Sequence, residues 1–306
     1  MAAHSTSNLI IQTAHHALEV TVHAPSGSRR NVAILYFHGG GFLFGERDDL
    51  PAPYIGAITR AGYTLICIDY PLAPETPIAS IVDETLHGVA GIARSLLPEL
   101  GCGRYAVFGR SAGAYLALVV AARIGEVAPD LAQPIAVWDF YGYHSLSEPF
   151  VLEPSSHYRK LPAVSPETVA NILRSKDSES ITNGSKRERY ALYVFARQNG
   201  SWADMLGVDK AEMALDLNDE DIARLPPLFV CASTSDNDVP FGMSKRLCKL
   251  APIAHMHQVY YLEHDFDRDV SNPAGMDAYR DAISFLGEVL DSPSEGARSN
   301  APHAIN

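Results

Sequence analysis

Cysteine is scarce in this sequence, and long apolar runs are missing. The four cysteines among 306 residues form no C-x-x-C pair, and Cys67 and Cys231 lie in apolar segments, where cysteine acts as a small apolar side chain. This usage is typical of a protein in a reducing compartment and not of one stabilised by disulfides. No stretch approaches the ~20 apolar residues of a membrane span. The apolar run 9–11 is too short for a signal peptide and follows no charged segment, so we expect a cytoplasmic protein.

Positive charge is also in short supply. Lysine and arginine number 24 against 36 aspartates and glutamates, a net charge of −12. Such a balance disfavours binding to nucleic-acid backbones and to anionic membrane surfaces. The sequence has no H-E-x-x-H metal motif and no G-x-x-x-x-G-K-S/T phosphate loop, and its paired histidines lack companions at metal-site spacing. We therefore expect no metal or nucleotide cofactor, and no nucleic-acid or membrane partner.

The pentapeptide Gly-Arg-Ser-Ala-Gly at 109–113 lies between a short apolar run and an amphipathic run. Residues 105–108 are typical of a buried strand, and residues 112–124 carry apolar side chains at helical spacing. Glycines on both sides of Ser111 allow the sharp strand-to-helix turn that holds a serine exposed above the end of the strand. This pattern predicts that Ser111 is a nucleophile.

A glycine run, His-Gly-Gly-Gly-Phe at 38–42, directly follows the apolar run 32–37. Acyl transfer places negative charge on the carbonyl oxygen of the substrate, and unshielded backbone N–H groups can stabilise that charge. A flexible turn would explain an isolated glycine run. After a buried strand and upstream of a nucleophile turn, the run instead predicts the oxyanion loop of the same site. We expect His38 to hold this loop by hydrogen bonding.

An acid and a base follow Ser111 in the order serine, acid, histidine. Asp236 and Asp238 come directly after the apolar strand 228–232, and His264 comes directly after a predicted strand over 258–262. Histidine suits a general base because its pKa lies near neutrality, and an adjacent aspartate fixes its tautomer. His255 and His257 precede or enter the predicted strand, so His264 is the preferred base.

Four motifs thus occur in one order along the chain. They are His-Gly-Gly-Gly-Phe at 38–42, Asp-Tyr-Pro-Leu-Ala-Pro-Glu at 69–75, Gly-x-Ser-Ala-Gly at 109–113 and an Asp…His-x-Phe ending. Over residues 30–290 the chain resembles the α/β-hydrolase fold, and specifically the hormone-sensitive-lipase-like carboxylesterases. It departs from the usual residues of that family at Pro71, Arg110 and Asp265, which leaves every catalytic group in place.

The resemblance implies a role for each site residue. Ser111 would be the nucleophile, His264 the base and Asp236 the acid, because Asp236 begins the pattern Asp-x-x-Val-Pro; Asp238 is the alternative acid. The oxyanion hole would be formed by the backbone N–H groups of Gly40, Gly41 and Ala112. Apart from the resemblance, we interpret Arg110 and His38 as structural residues.

Apolar strand-like runs alternate with amphipathic runs through most of the chain, which predicts an α/β fold with a mostly parallel central sheet and helices on both faces. The alternation breaks in the middle, where a helix after Ser165-Pro166, a helix over 186–198 and several aromatic rings favour a helical cap above the carboxyl ends of the strands. The predicted division is a core over 1–141, a cap over 142–226, a core over 227–290 and a disordered tail over 291–306.

These inferences predict a cofactor-free serine hydrolase that cleaves small to medium carboxylic esters through an acyl-enzyme intermediate. An amidase or lactonase, as in arylformamidase-like relatives, is the alternative, because fold does not determine substrate. A small-molecule receptor similar to the plant gibberellin receptors is disfavoured, because those receptors lose the catalytic histidine and His264 is present. A homodimer formed through the last helix and strand is compatible with the resemblance.

Overall fold

The computed structural model describes residues 5–174, 181–208 and 215–292. The described strands are β1 (Thr6–Gln12), β2 (Ala17–His23), β3 (Val32–Phe37), β4 (Thr64–Ile68), β5 (Arg104–Arg110), β6 (Val137–Phe140), β7 (Leu228–Ser233) and β8 (Ala254–Val259). They form one sheet in the order β1-β2-β4-β3-β5-β6-β7-β8. β1 and β2 pair antiparallel, as do β2 and β4, and all other neighbours pair in parallel.

The helices cover both faces of this sheet. They are α1 (Ala52–Arg60), α2 (Ile78–Gly91), α3 (Leu97–Glu99), α4 (Ala112–Val127), α5 (Pro149–Leu152), α6 (Pro166–Arg174), α7 (Lys186–Asn199), α8 (Trp202–Met205), α9 (Asp219–Ile222), α10 (Phe241–Leu250) and α11 (Pro273–Asp291). α1 and α11 pack on one face, and α2, α4 and α10 pack on the other. The predicted α/β fold, a mostly parallel sheet between two helical layers, is confirmed.

Burial explains why the central strands are apolar throughout. Every residue of β3, β4 and β7 is buried, because a parallel strand is covered by helices on both faces. The carboxyl ends of β3, β5, β7 and β8 therefore point to the same edge, where their loops meet. Among the described helices, none is both long and apolar enough to cross a membrane.

Two boundaries differ from the sequence-based prediction. The alternation of Leu18, Val20 and Val22 with polar residues predicts one edge strand over 9–24. That segment instead contains parts of two antiparallel strands, because a tight turn in which the Thr13 N–H donates to the His16 carbonyl reverses the chain. Ser80 predicts the start of a helix over 81–97, because serine is a common N-cap residue. Helix α2 instead begins at Ile78, with Pro77 as its N-cap residue. Proline is tolerated there because an N–H at that position would have no partner within the helix.

The last strand also differs from its prediction. β8 covers Ala254–Val259 rather than 258–262, because its partner β7 ends at Ser233, which pairs with Val259. His255 and His257 thus lie within β8, where both rings contact the Asp281 carboxylate of α11 at 2.9 and 2.8 Å. The Asp281 carboxylate therefore holds both rings of this histidine pair.

The chain between β6 and β7 contains α5, α6, α7, α8 and α9, and the predicted helices after Ser165 and over 186–198 correspond to α6 and α7. Helix α7 lies over the loop that follows β3, where Arg189 donates to the Leu43 carbonyl at 2.7 Å and pairs with Glu75 at 2.8 Å. The division into core and cap stays a prediction, and residues 293–306 of the predicted tail lie outside the described residues.

Candidate active site

Ser111 stands at the turn between β5 and α4 in a backbone conformation with φ 53° and ψ −119°. Positive φ is uncommon for a residue with a Cβ atom and is costly unless the surroundings enforce it. Its N–H donates to the Phe140 carbonyl at 2.9 Å. A Cβ atom on Gly109 would lie 2.0 Å from the Gly113 carbonyl oxygen, and one on Gly113 would lie 2.1 Å from that of Phe37. Only glycine fits at both positions, so the turn requires them.

The loops after β7 and β8 bring an acid and a histidine to this serine. The Oγ of Ser111 lies 2.8 Å from Nε2 of His264, and Nδ1 of His264 lies 2.6 Å from Oδ2 of Asp236. Oδ1 of Asp236 accepts the backbone N–H groups of Asp238 and Val239 at 2.8 and 2.9 Å. The Asp236 side chain is therefore fixed from both of its oxygens, and the three side chains form one continuous hydrogen-bonded line.

Asp238, the alternative acid, faces a different set of partners. Its carboxylate accepts the hydroxyls of Tyr193 at 2.9 Å and Tyr158 at 3.0 Å, and it pairs with Arg197 at 2.9 Å. The imidazole Nδ1 of His264 is already occupied by Asp236. The structure thus brings Asp236 to the histidine and directs Asp238 toward α7.

The electrostatics of His264 follow from this geometry. Burial lowers the pKa of the imidazole, but the Asp236 carboxylate and its hydrogen bond outweigh that effect, with a smaller contribution from Asp238. The net result raises the pKa of His264 from its ordinary value of 6.5 to about 9. The ring of Tyr141 packs edge-on against the imidazole at 4.8 Å between centroids, and the Asp236 carboxylate is the main source of stabilisation for the imidazolium form.

The glycine run lies beside the serine. A Cβ atom on Gly39 would lie 3.5 Å from Cβ of Ser111, and Gly40 and Gly41 have φ values of 111° and 60° that favour glycine. Ala112 is the first residue of α4, where a helix leaves backbone N–H groups without partners of its own. His38 is buried and stacks on Tyr70, whose hydroxyl donates to the His38 carbonyl at 2.7 Å.

Arg110 lies buried directly beneath the serine turn. Its guanidinium contacts Oδ1 of Asp267 at 3.1 Å and Oδ2 of Asp49 at 3.4 Å, and it donates to the Tyr141 hydroxyl at 2.7 Å. Two carboxylates compensate the charge of a guanidinium that is 2 % exposed. No local sequence pattern indicates Tyr141 or Asp267 as its partners, because they lie 31 and 157 positions away from Arg110 along the chain.

A cavity of about 210 Å³ opens onto Ser111 and His264. Its wall contains the glycine run, the serine turn and residues from the chain between β6 and β7. Charged and hydroxyl-bearing side chains supply much of the wall, among them Asp49, Tyr158, Lys186, Tyr190, Asp265 and Arg268. Lys186 lies over the Tyr190 ring at 4.9 Å, and Asp265 lies between Lys186 and Arg268. The cavity is small, and polar groups supply slightly more of its wall than apolar groups do.

Residues 34–242 match the family described as the alpha/beta hydrolase fold, and the chain belongs to that family. It is 30% identical over 170 residues to the non-reducing polyketide synthase adrD of Penicillium rubens, a match covering 52% of this chain and 6% of that protein. It is 28% identical over 207 residues to esterase LipI of Mycobacterium tuberculosis, covering 66% of this chain and 55% of LipI. The chain thus spans about half the length of LipI and a small part of the synthase.

A solved structure extends the likeness over nearly the whole chain. An alpha/beta hydrolase superfamily protein from Enterococcus faecalis superposes with a TM-score of 0.81 at 28% identity, covering 94% of this chain and 100% of that chain. The fold predicted by the four motifs is therefore confirmed by an independent comparison.

Proposed function

We propose that this protein is a serine hydrolase that cleaves small to medium carboxylic esters, with Ser111, His264 and Asp236 as the catalytic residues. The observation that carries the proposal is the continuous line Ser111 Oγ–His264 Nε2 at 2.8 Å and His264 Nδ1–Asp236 Oδ2 at 2.6 Å. A nucleophile in reach of a base, and a base oriented by a third group, is the arrangement that covalent acyl transfer needs. The family and the likeness to esterase LipI support it.

The reaction follows from the positions of these groups. Ser111 Oγ attacks the ester carbonyl carbon while its proton passes to Nε2 of His264, and the resulting oxyanion accepts the N–H groups of Gly40, Gly41 and Ala112. The bond to the alcohol then breaks as the His264 proton moves to the alcohol oxygen. Water attacks the acyl-enzyme, its proton passes to His264 and then to Ser111, and the carboxylic acid leaves. Asp236 stabilises the imidazolium in both halves.

The cavity supports short acyl groups. Its volume of about 210 Å³ lies below the range of roughly 300–1,000 Å³ found for sites that enclose drug-sized ligands. Charged side chains such as Lys186 and Arg268 on its wall offer little to a long alkyl chain, because burying apolar groups against charges forfeits the hydration of those charges. We therefore expect a preference for short esters.

A series of p-nitrophenyl esters from acetate to laurate tests this function. We expect kcat/KM to be highest for the shortest acyl groups and to fall at least about tenfold toward laurate, since a small pocket discriminates by chain length. The release of nitrophenolate gives the rate directly, and Ser111→Ala provides the background. Equal rates for acetate and laurate would contradict the size argument while leaving the ester chemistry intact.

Matched nitroanilides separate an esterase from the alternative amidase. An esterase is expected to cleave the acetate ester and leave the corresponding anilide nearly untouched, because the anilide has the poorer leaving group and the less reactive carbonyl. Faster turnover of the anilide than of the ester would assign the amidase instead. If a fluorophosphonate labels Ser111 but no ester is hydrolysed, the serine is reactive and the substrate is expected to be an amide or a lactone.

The pH dependence of kcat/KM provides a second prediction. His264 must be neutral to accept the Ser111 proton, and its pKa is raised to about 9. Below that pH the imidazole is protonated, so kcat/KM on p-nitrophenyl acetate should rise with pH and level off only around the raised pKa. The rate is measured after subtraction of spontaneous hydrolysis at each pH. A plateau that begins near the ordinary histidine value of 6.5 would contradict the influence assigned to Asp236.

A further inference from the structure

We infer that Tyr193, Arg197 and Trp202 position both halves of the active site at once, the oxyanion loop and the loop that carries Asp236. These three residues are hereafter the α7–α8 brace, since the first two lie on α7 and the third begins α8. They belong to the chain between β6 and β7, outside the three residues assigned to the reaction. The inference rests on the proposed function and names its positioning residues.

The brace contacts Asp238 and thereby holds the loop that carries Asp236. The Tyr193 hydroxyl lies 2.9 and 3.0 Å from the two carboxylate oxygens of Asp238. Arg197 pairs with the same carboxylate at 2.9 Å and donates to the Asp238 backbone carbonyl at 3.1 Å. The N–H of Asp238 in turn donates to Oδ1 of Asp236 at 2.8 Å. Asp238 therefore links the brace to the carboxylate that contacts His264.

The brace also holds the oxyanion loop. Nε1 of Trp202 donates to the carbonyl of Gly41 at 3.0 Å. The Tyr193 ring lies so close to Gly41 that a Cβ atom there would come within 2.3 Å of its Cε2 atom. Gly41 is thus fixed by a hydrogen bond on one side and by a ring on the other. The N–H groups aimed at a developing oxyanion act best when such contacts hold them in place beforehand.

The three side chains form a single packed unit. The rings of Tyr193 and Trp202 meet edge to face at 5.2 Å between centroids. The Arg197 guanidinium lies 4.9 Å from the Trp202 ring and donates to the Tyr193 hydroxyl at 3.1 Å. Trp202 is 1% exposed and Arg197 is 2% exposed. A displacement of one member in so dense a cluster moves the others, so the two loops are positioned together.

Substituting a positioning residue and substituting a residue that only stabilises the fold should have different effects on the folded enzyme. A residue that serves stability alone lowers the melting temperature and leaves kcat and KM of the folded fraction as they were. A positioning residue lowers kcat, because small misplacements of the reacting groups are costly even when they originate away from the chemistry. Trp202 is the cleaner probe, because the Ser111 cavity is lined by Tyr193 but not by Trp202 among the described residues.

The test is a double-mutant cycle with Tyr193→Phe and Trp202→Phe on p-nitrophenyl acetate. Each single variant is expected to lower kcat roughly ten- to a hundredfold, with the KM of Trp202→Phe unchanged. The double variant should lose little more than the worse single variant, because both changes release the same unit. Tyr193→Phe should also move the pH midpoint of kcat/KM downward, since Asp236 is then held less firmly against His264.

Two buried residues away from the site provide matched controls. Tyr105→Phe removes a buried phenol hydroxyl near the start of β5, the end opposite Ser111, and Trp138→Phe trims a fully buried indole within β6. Both are expected to change the melting temperature and to leave kcat, KM and the pH midpoint at wild-type values. Their losses measure what a buried ring change costs without any positioning effect.

The outcomes separate failure of the brace from failure of the proposed function. If the wild type hydrolyses the ester but Tyr193→Phe and Trp202→Phe keep kcat within about twofold, or if their losses multiply in the double variant, the brace is overturned. If the wild type shows neither turnover nor Ser111-dependent fluorophosphonate labelling, the proposed function itself is wrong. A KM effect alone in Trp202→Phe would also overturn the positioning role.

Discussion

Replacing Ser111 by alanine is expected to lower kcat/KM for p-nitrophenyl acetate on the order of 10⁶-fold. A loss of this size is seen when the serine of a Ser-His-Asp triad is removed. The change deletes the Oγ that lies 2.8 Å from His264 and leaves the backbone turn in place. Without Oγ no acyl-enzyme can form, so attack by water in the preorganised site is all that remains. Steady-state hydrolysis and fluorophosphonate labelling both measure the loss.

The matched control is Ser95→Ala, an exposed serine whose hydroxyl donates to the Gly91 carbonyl. This variant should keep wild-type activity and labelling. Ser111→Ala should unfold at nearly the wild-type temperature, because no buried hydrogen bond of the core is lost and the hydroxyl is half-buried at a cavity. A Ser111→Ala protein that retains full turnover and labelling would place the nucleophile elsewhere and end the proposed mechanism.

The parts of the site encoded by short stretches of sequence were predictable. The strand, turn and helix around Ser111 depend on glycines within two residues of it, and the loop proposed to bind the oxyanion contains three consecutive glycines after a buried strand. His264 could be placed even though its preceding strand was predicted too far along the chain. The choice of His264 depended only on its lying after the last strand and not on the residue at which that strand ends.

Long-range pairings could not be predicted in the same way. β8 contains His255 and His257, and these polar residues interrupt the apolar pattern by which a buried strand is recognised. Their partner Asp281 lies on α11. Similarly, the Asp238 carboxylate meets Tyr158, Tyr193 and Arg197, which come from a separate part of the chain. Periodicity within a window says nothing about such contacts. The first depends on how α11 packs against β8, and the second on how the chain between β6 and β7 packs over the sheet.

This difference matters most for the choice between two neighbouring aspartates. Sequence order and spacing admit both Asp236 and Asp238 as the acid, and only the pattern Asp-x-x-Val-Pro favours Asp236. The geometry adds a physical reason. Oδ2 of Asp236 lies 2.6 Å from His264, whereas Asp238 is surrounded by a guanidinium and two phenols. An Asp238 engaged in this way holds the loop and is not the hydrogen-bond partner of the imidazole, so the two carboxylates should respond differently to neutralisation.

Asp236→Asn is accordingly expected to lower kcat on the order of 10⁴-fold, the scale found when an oriented histidine loses its carboxylate to an amide. The amide can still accept the N–H groups of Asp238 and Val239 through its oxygen, so the loop keeps its shape. Its NH₂ group then faces Nδ1 of His264 and donates to it. The proton of the neutral imidazole moves to Nε2, which can no longer accept from Ser111. Loss of the negative charge should also move the pH midpoint of any residual activity downward.

Asp130→Asn and Asp238→Asn complete the comparison. Asp130 is an exposed aspartate paired with Arg94 on the surface, and its substitution should leave kcat and the pH profile at wild-type values. Asp238→Asn leaves Arg197 without its buried countercharge, so it should lower the melting temperature and reduce kcat by roughly ten- to a hundredfold, well short of the loss in Asp236→Asn. If instead Asp238→Asn showed the larger loss of kcat and Asp236→Asn remained active, Asp238 would be the acid that orients His264. The hydrogen bond between His264 and Asp236 would then have no catalytic role.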